Sequence, residues 1–234
     1  MIQTYVIHVA SEIQRRKSIE KELDGKGFEV SFILDGDIST LNASRLNTFF
    51  SGKMKSAKAT TSCAFKHILA YQDILKNKYP FALILEDDIR FYDNIHLLHS
   101  ILDEIKDRDL HDFIVSLEDS RLKYIPRSKR QKGRLLYVEN SGRMTGAYLI
   151  DFAGAKRILD YTKTKKMRAP IDWFHNECIA EKVISMFWAQ PPIAVQGSLE
   201  GSVKSLIGKV RFGGLKVLVF RIQRLYKRIV YSFR

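Results

Sequence analysis

The sequence predicts an α/β fold: a mostly parallel sheet flanked by helices, followed by a basic helical tail. Three observations carry that expectation. Short apolar runs alternate with amphipathic segments along most of the chain. The run FALIL (81–85) is apolar at every position, which suits a strand buried on both faces of a parallel sheet. Beyond residue 214, apolar side chains recur at helical spacing beside a line of cationic ones. With 234 residues, 45% of them hydrophobic, the chain can form one domain with its own core. The domain is expected over residues 1–200 and the tail over 201–234.

The elements follow in order. QTYVIHV (3–9) reads as the first strand. A helix is predicted next, with Ser11 and Gln14 spaced as a capping box and Gly25 and Gly27 as its stop. FEVSFIL (28–34) is the second strand, closed by an Asp35-Gly36 turn. After a polar, irregular stretch, a helix is predicted over residues 60–79. Thr60, Thr61 and Ser62 are its capping candidates, Ala64, Ile68, Tyr71 and Leu75 share a face, and Pro80 bars its extension. FALIL, a helix near 95–105 and the strand DFIVSL (112–117) come next. Residues 121–134 hold seven basic residues and no acid, and read as a loop. MTGAYLI (144–150) is a short strand, a helix starts near Asp151, and a short helical segment follows Pro170. VISMFWA (183–189) is the last strand before Pro191 and Pro192. This alternation predicts crossover units with helices on both faces of the sheet.

Composition narrows the function classes. No apolar run approaches the length of a membrane span. The opening MIQTYVIHVASE has neither a basic segment nor a long apolar one, so no signal peptide and a cytosolic location are expected. Cys63 and Cys178 match no metal spacing and are expected to be buried thiols in a reducing compartment. Of the +13 net charge, nine units lie beyond residue 200, where there is no acid.

The chemistry starts where FALIL runs into Glu86, Asp87 and Asp88. In open α/β sheets ligands gather at the carboxyl ends of strands. Three clustered carboxylates repel one another unless a cation sits among them. Mg²⁺ and Mn²⁺ bind through one or two carboxylates together with substrate phosphates. The Glu-x-Asp spacing therefore points to a metal that clamps a diphosphate. The alternative is a solvated acidic turn paired with Arg90 or a nearby lysine.

The ordered segments YVIHVASEIQRR, SCAFKHI (62–68), LILEDD (83–88), MTGAYLIDFAGAKRIL (144–159) and APID (169–172) resemble the bacterial lipooligosaccharide glycosyltransferases of family 25. That group includes relatives of the collagen galactosyltransferases. The resemblance implies a GT-A-like domain that moves a hexose, galactose from UDP-galactose first among the options, onto a lipid-linked core oligosaccharide. The acidic motif makes a metal-dependent reaction the expectation, and inversion of the anomeric centre is expected by the reasoning used for glycosidases. By analogy with the family's acidic motif, Asp88 holds Mn²⁺ or Mg²⁺, helped by Glu86, and Glu86 or Asp87 contacts the nucleotide sugar. His8 and Lys66 stand where the family usually reads Asn and Ser, and bear on donor identity.

Further roles follow from the reaction. An inverting transfer needs a base for the acceptor hydroxyl. Asp172, which follows Pro170 and matches the family's Pro-x-Asp segment, leads, with a helix N-cap as its alternative reading. Glu118 and Asp119, at a strand end, compete for the same role. His175 is either a third metal ligand or a structural histidine. His67 either lines the donor pocket or packs in the core. Arg15 and Arg16 are expected at the diphosphate or uracil, with solvated helix surface as the alternative. Thr145 and Gly146 let backbone approach a sugar, or form a plain bulge.

In the tail, Leu218, Ile222, Leu225, Ile229 and Phe233 share one face, and Arg221, Arg224, Lys227 and Arg228 the other. Such a helix can lie on an anionic inner-membrane surface through residues 215–234, or pack on the domain with a solvated basic face. A competing function is a nucleic-acid-binding module using the tail and the 121–134 loop. The acidic tripeptide opposes it, so no nucleic acid is expected. A metal-dependent phosphoesterase would need more ligands than the sequence supplies.

Overall fold

The computed structural model of the protein describes residues 1–200 and 213–233. Lys204, Lys209, Arg211 and Arg234 of the basic tail lie outside the described residues. The elements are β1 (Ile2–Ile7), α1 (Ile13–Leu23), β2 (Phe28–Ile33), α2 (Ala43–Phe49), α3 (Ala59–Asn77), β3 (Phe81–Glu86), β4 (Ile89–Phe91), α4 (Leu97–Asp107), β5 (Phe113–Ser116), β6 (Leu136–Glu139), β7 (Ala147–Asp151), α5 (Phe152–Thr164), α6 (Ile171–Ala180), β8 (Ser185–Ala189), β9 (Ala194–Gln196), α7 (Gly197–Glu200) and α8 (Gly213–Phe233).

Seven strands form one sheet in the order β2-β1-β3-β7-β5-β8-β6. β7 and β6 run against the other five, so the sheet is mostly parallel. β4 and β9 pair antiparallel in a separate ribbon. Ala82, Leu83, Ile84 and Leu85 of β3 are fully buried, as the apolar run predicts. Alternate residues feed two cores. Tyr5 and Ile84 pack with α3, α5 and α6 on one face. Val6, Leu83 and Leu85 pack with Ile19 of α1 and Ile101 of α4 on the other. Each buried aliphatic side chain contributes about 1.5–3 kcal/mol.

Helix starts differ from the sequence expectation. α1 begins behind Glu12 without a side-chain cap, so the Ser11 box does not form. α3 begins behind Lys58, and the hydroxyls of Thr61 and Ser62 donate instead to the carbonyls of Met54 and Gly36. These hydroxyls tie loops to the helix rather than cap it. At α5 the capping is local: Asp151 accepts from Gly154 N at 2.9 Å. The sequence reading did not resolve α2, β4, β6 and β9. All four are short, and β4 and β9 form a ribbon outside the seven-stranded sheet.

The tail helix is present, but its orientation inverts the packing alternative. Arg224 donates to the Tyr92 hydroxyl at 2.7 Å, Arg228 to Asp119 at 3.2 Å, and Tyr231 packs edge-on against Tyr124. Part of the basic face thus meets the domain. Leu218, Ile222 and Leu225 are 55–64% exposed on the other side.

Candidate active site

The chain passes from β1 outward to β2 and returns to β3 on the other side of β1. The sheet order reverses there, and β1 and β3 end side by side, with Ile7 paired to Glu86. Ligands of open α/β sheets settle at such a point. His8 follows β1 and sets its Nδ1 2.7 Å from Asp87 Oδ2. Arg15, in the first turn of α1, binds Asp87 Oδ1 and reaches Asp88 Oδ2 at 3.5 Å. The buried Lys66 donates to the carbonyls of His8, Ile33 and Leu34 and pairs with Asp37 at 2.7 Å. One ammonium thereby ties together the ends of β1 and β2.

The three carboxylates differ in their freedom. Asp87 is 4% exposed, and both its oxygens are taken by His8 and Arg15. Glu86 accepts from Thr145 Oγ1 and Gln196 Nε2, each at 3.2 Å. Burial, with Asp88, Glu118 and Asp87 close by, holds the Glu86 carboxyl well above its ordinary range. Asp88 is also raised, by burial first, against the opposing pull of Ser198 and Arg15. Asp88 Oδ1 is buried without a hydrogen-bond partner. An orphaned carboxylate oxygen is an acceptor that a divalent cation fits.

A second wall comes from β5 and the segment before β7. Glu118 is fully buried, with Oε1 accepting from Gly146 N at 2.6 Å and Oε2 bound by the Ser120 hydroxyl. Burial pushes its carboxyl up to about 7. Asp119, also fully buried, accepts from Tyr92, Tyr124 and Arg228. Both carboxylates thus already accept a hydrogen bond on each oxygen. Asp172 differs. The N-cap of α6 is Pro170, so Asp172 sits in the first turn and is not the cap. With Arg121, Met144, Trp173 and Asn176 it lines a cleft of about 170 Å³. Arg121 reaches it at 3.5 Å. Burial first, and then the charges of Glu86, Asp172 and Asp87, hold the Cys63 thiol well above its ordinary range.

Other predicted residues go elsewhere. Arg16 pairs with Glu20 and lies over the Phe32 ring, away from the tripeptide, because its position on α1 faces β2. His175 Nε2 meets the Tyr71 hydroxyl at 2.8 Å inside the core, and the structure does not bring it to Asp88. Gly146 does give close approach, but to protein: an added Cβ would lie 2.8 Å from Gln196 Cγ. His67 is fully buried, with Nδ1 2.7 Å from the Tyr148 hydroxyl. Among the described residues, the His, Cys, Asp and Glu trio with ligand atoms within 4.8 Å of one another is Cys63, His67 and Glu86. It shares only Glu86 with the predicted Asp88, Glu86 and His175 set.

The family model of glycosyltransferase family 25 (LPS biosynthesis protein) matches residues 1–175. The chain belongs to glycosyltransferase family 25. The match takes in every site residue above except Asn176, Gln196, Ser198 and Arg228, and this family 25 chain is therefore a glycosyltransferase. Among solved structures it is similar to A197 from STIV, at 12% identity and a TM-score of 0.43, over 91% of this chain and 99% of that one. It is also similar to mouse xyloside xylosyltransferase 1 in its apo form, at 14% identity and a TM-score of 0.38, over 78% and 70% of the two chains. No curated protein matches.

Sequence reasoning missed Arg143 in this family 25 chain. Its guanidinium is fully buried and donates to the carbonyls of Ser116 at 2.7 Å and Ala189 at 3.0 Å, joining β5 to β8 beneath Glu118. Burial lowers it to about 10. Its partners, main-chain carbonyls and the Ser116 hydroxyl, come from distant segments, so no local pattern marks it.

Proposed function

We propose that this family 25 enzyme transfers a hexose, with UDP-galactose as the leading donor, to a lipid-linked oligosaccharide of the LPS core, inverting the anomeric centre. The observation that carries the reading is Asp88: a buried carboxylate at the carboxyl end of β3, beside Arg15, with Oδ1 unpartnered. Mn²⁺ or Mg²⁺ fits that oxygen and, when bound, supplies positive charge for the departing diphosphate. Arg15 holds Asp87 and Asp88 in place and adds cationic character to the phosphate side. Asp172 accepts the proton of the acceptor hydroxyl, a role worth about 10²–10⁴-fold in rate.

Beside Asp172, Trp173 is 62% exposed in a cleft with polar neighbours. A sugar ring, with an apolar C–H face and a hydroxyl rim, suits an aromatic surface edged by such groups. The outward apolar face of α8 supports a peripheral position on an anionic inner-membrane leaflet, where each nearby cation adds about 1 kcal/mol. No described helix is long and apolar enough to cross a membrane.

Calorimetric titration of the full chain with a panel of nucleotide sugars, with and without Mn²⁺, tests the reading. One donor should bind in a Mn²⁺-dependent way. Equal binding of every donor, unaffected by the ion, would overturn it.

A further inference from the structure

We propose that Cys63, His67 and Glu86 form a binding site for a zinc-class divalent cation, separate from the diphosphate cation placed at Asp88. The site goes beyond the transfer reading and stands without it.

Cys63 and His67 are four residues apart on α3, so they lie one above the other on the same helix face. Glu86 comes to that face from the end of β3, and one ligand atom from each of the three falls within 4.8 Å of the others. That spread suits a small tetrahedral shell.

A second, independent observation points to a ligand. His67 is fully buried, yet its Nε2 has no hydrogen-bond partner. Its other nitrogen is fixed: Nδ1 meets the Tyr148 hydroxyl, which meets the Tyr71 hydroxyl, which meets His175 Nε2 at 2.8 Å. Read in one direction, the proton sits on Nδ1 and each hydroxyl donates to the next group, ending on His175 as acceptor. That order leaves the Nε2 lone pair unprotonated, aimed away from the chain of hydroxyls. Metal-binding histidines are oriented in this way by a hydrogen bond at the far nitrogen. Thr145 and Gln196 do the same for Glu86, one on each oxygen.

The charges balance. Binding releases to solvent the Cys63 thiol proton and the proton that burial keeps on Glu86, giving one thiolate, one carboxylate and one neutral imidazole around a 2+ ion. His67 is buried and Cys63 and Glu86 are half-buried, and a site with no net charge there avoids the penalty of an uncompensated ion. Thiolate and imidazole together favour Zn²⁺ over Mg²⁺ or Mn²⁺, and three protein ligands leave a fourth position for water or a ligand oxygen. Cys63, expected to be a buried thiol that matches no metal spacing, acquires a role because Glu86 comes to it from another element.

The test uses the full chain, stripped with chelator and titrated with Co²⁺ as a spectroscopic stand-in for zinc. One equivalent should produce a thiolate-to-cobalt charge-transfer band with visible bands of four-coordinate Co²⁺. Zn²⁺ should bleach them, and excess Mn²⁺ should not. The bands should persist in Asp88→Asn and Cys178→Ala and vanish in Cys63→Ser. His67→Gln should weaken Co²⁺ binding at least about tenfold, in line with the loss of one ligand interaction. Circular dichroism checks that each variant folds. If the Cys63 variant does not fold, the Cys178→Ala protein decides alone: a one-equivalent thiolate band supports the site, and its absence overturns it. Bands unchanged in a folded Cys63→Ser protein also overturn it.

Discussion

Arg228 of α8 lies 3.2 Å from the fully buried Asp119, so the tail is joined to the wall behind the candidate site by a cation. The same helix leaves Leu225 64% exposed. These two facts separate anchoring on the domain from an outward apolar face, and each can be tested by itself. Leu225→Asp should leave the fold intact and weaken binding to anionic vesicles about 10–100-fold, the equivalent of roughly 1.5–3 kcal/mol of lost burial. Vesicle sedimentation measures it; unchanged binding would remove the membrane reading of the tail.

Glu118 gives a pH signature. Burial raises its carboxyl to about 7 from an ordinary 4.5, so the folded state holds the proton more tightly than the unfolded one. Stability from this group is therefore complete below its unfolded value and lost as pH rises through about 7. Glu118→Gln, which mimics the protonated form, removes the dependence. Urea unfolding of both proteins from about pH 5 to about pH 8 should show wild type losing stability relative to the variant as pH rises. Parallel profiles would contradict the assignment.

Gly146 should not tolerate a side chain. An added Cβ would sit 2.8 Å from Gln196 Cγ and 3.0 Å from Ile89 Cδ1. Gly146→Ala should cost about 1–3 kcal/mol, as over-packing does in a filled core. Gln196→Ala in the same chain should recover part of the loss, because it opens the space. Thermal unfolding of the three variants checks the coupling.

Asp172→Asn should lower kcat by about 10²–10⁴-fold and leave donor affinity within a small factor of wild type. Trp173→Ala should instead raise the acceptor KM. Equal effects of both substitutions on donor binding would place the pair outside the acceptor side.

The fold was largely legible because β3 and its neighbours announce themselves by unbroken apolar runs and the helices by spaced apolar faces. α2, β4, β6 and β9 were not, since a helix of seven residues and strands of three or four carry too little periodicity to register. The sequence singled out Asp88, Arg15 and Asp172 from strand-end position and ordered motifs, and the structure sets Arg15 against Asp88 and Asp172 in a cleft. The donors that hold Asp119 were not readable, because Tyr92 and Arg228 come from distant segments. Arg143 and the Cys63, His67 and Glu86 grouping were invisible for the same reason. His8 and Lys66 prove to hold Asp87 and the ends of β1 and β2.

The most direct test of the account is release of nucleoside diphosphate from the preferred donor by wild type and Asp88→Asn, each with Mn²⁺ and with chelator. Turnover should occur only in wild type with the ion. Equal turnover by the variant, or by wild type in chelator, would contradict the role given to the β3 carboxylate.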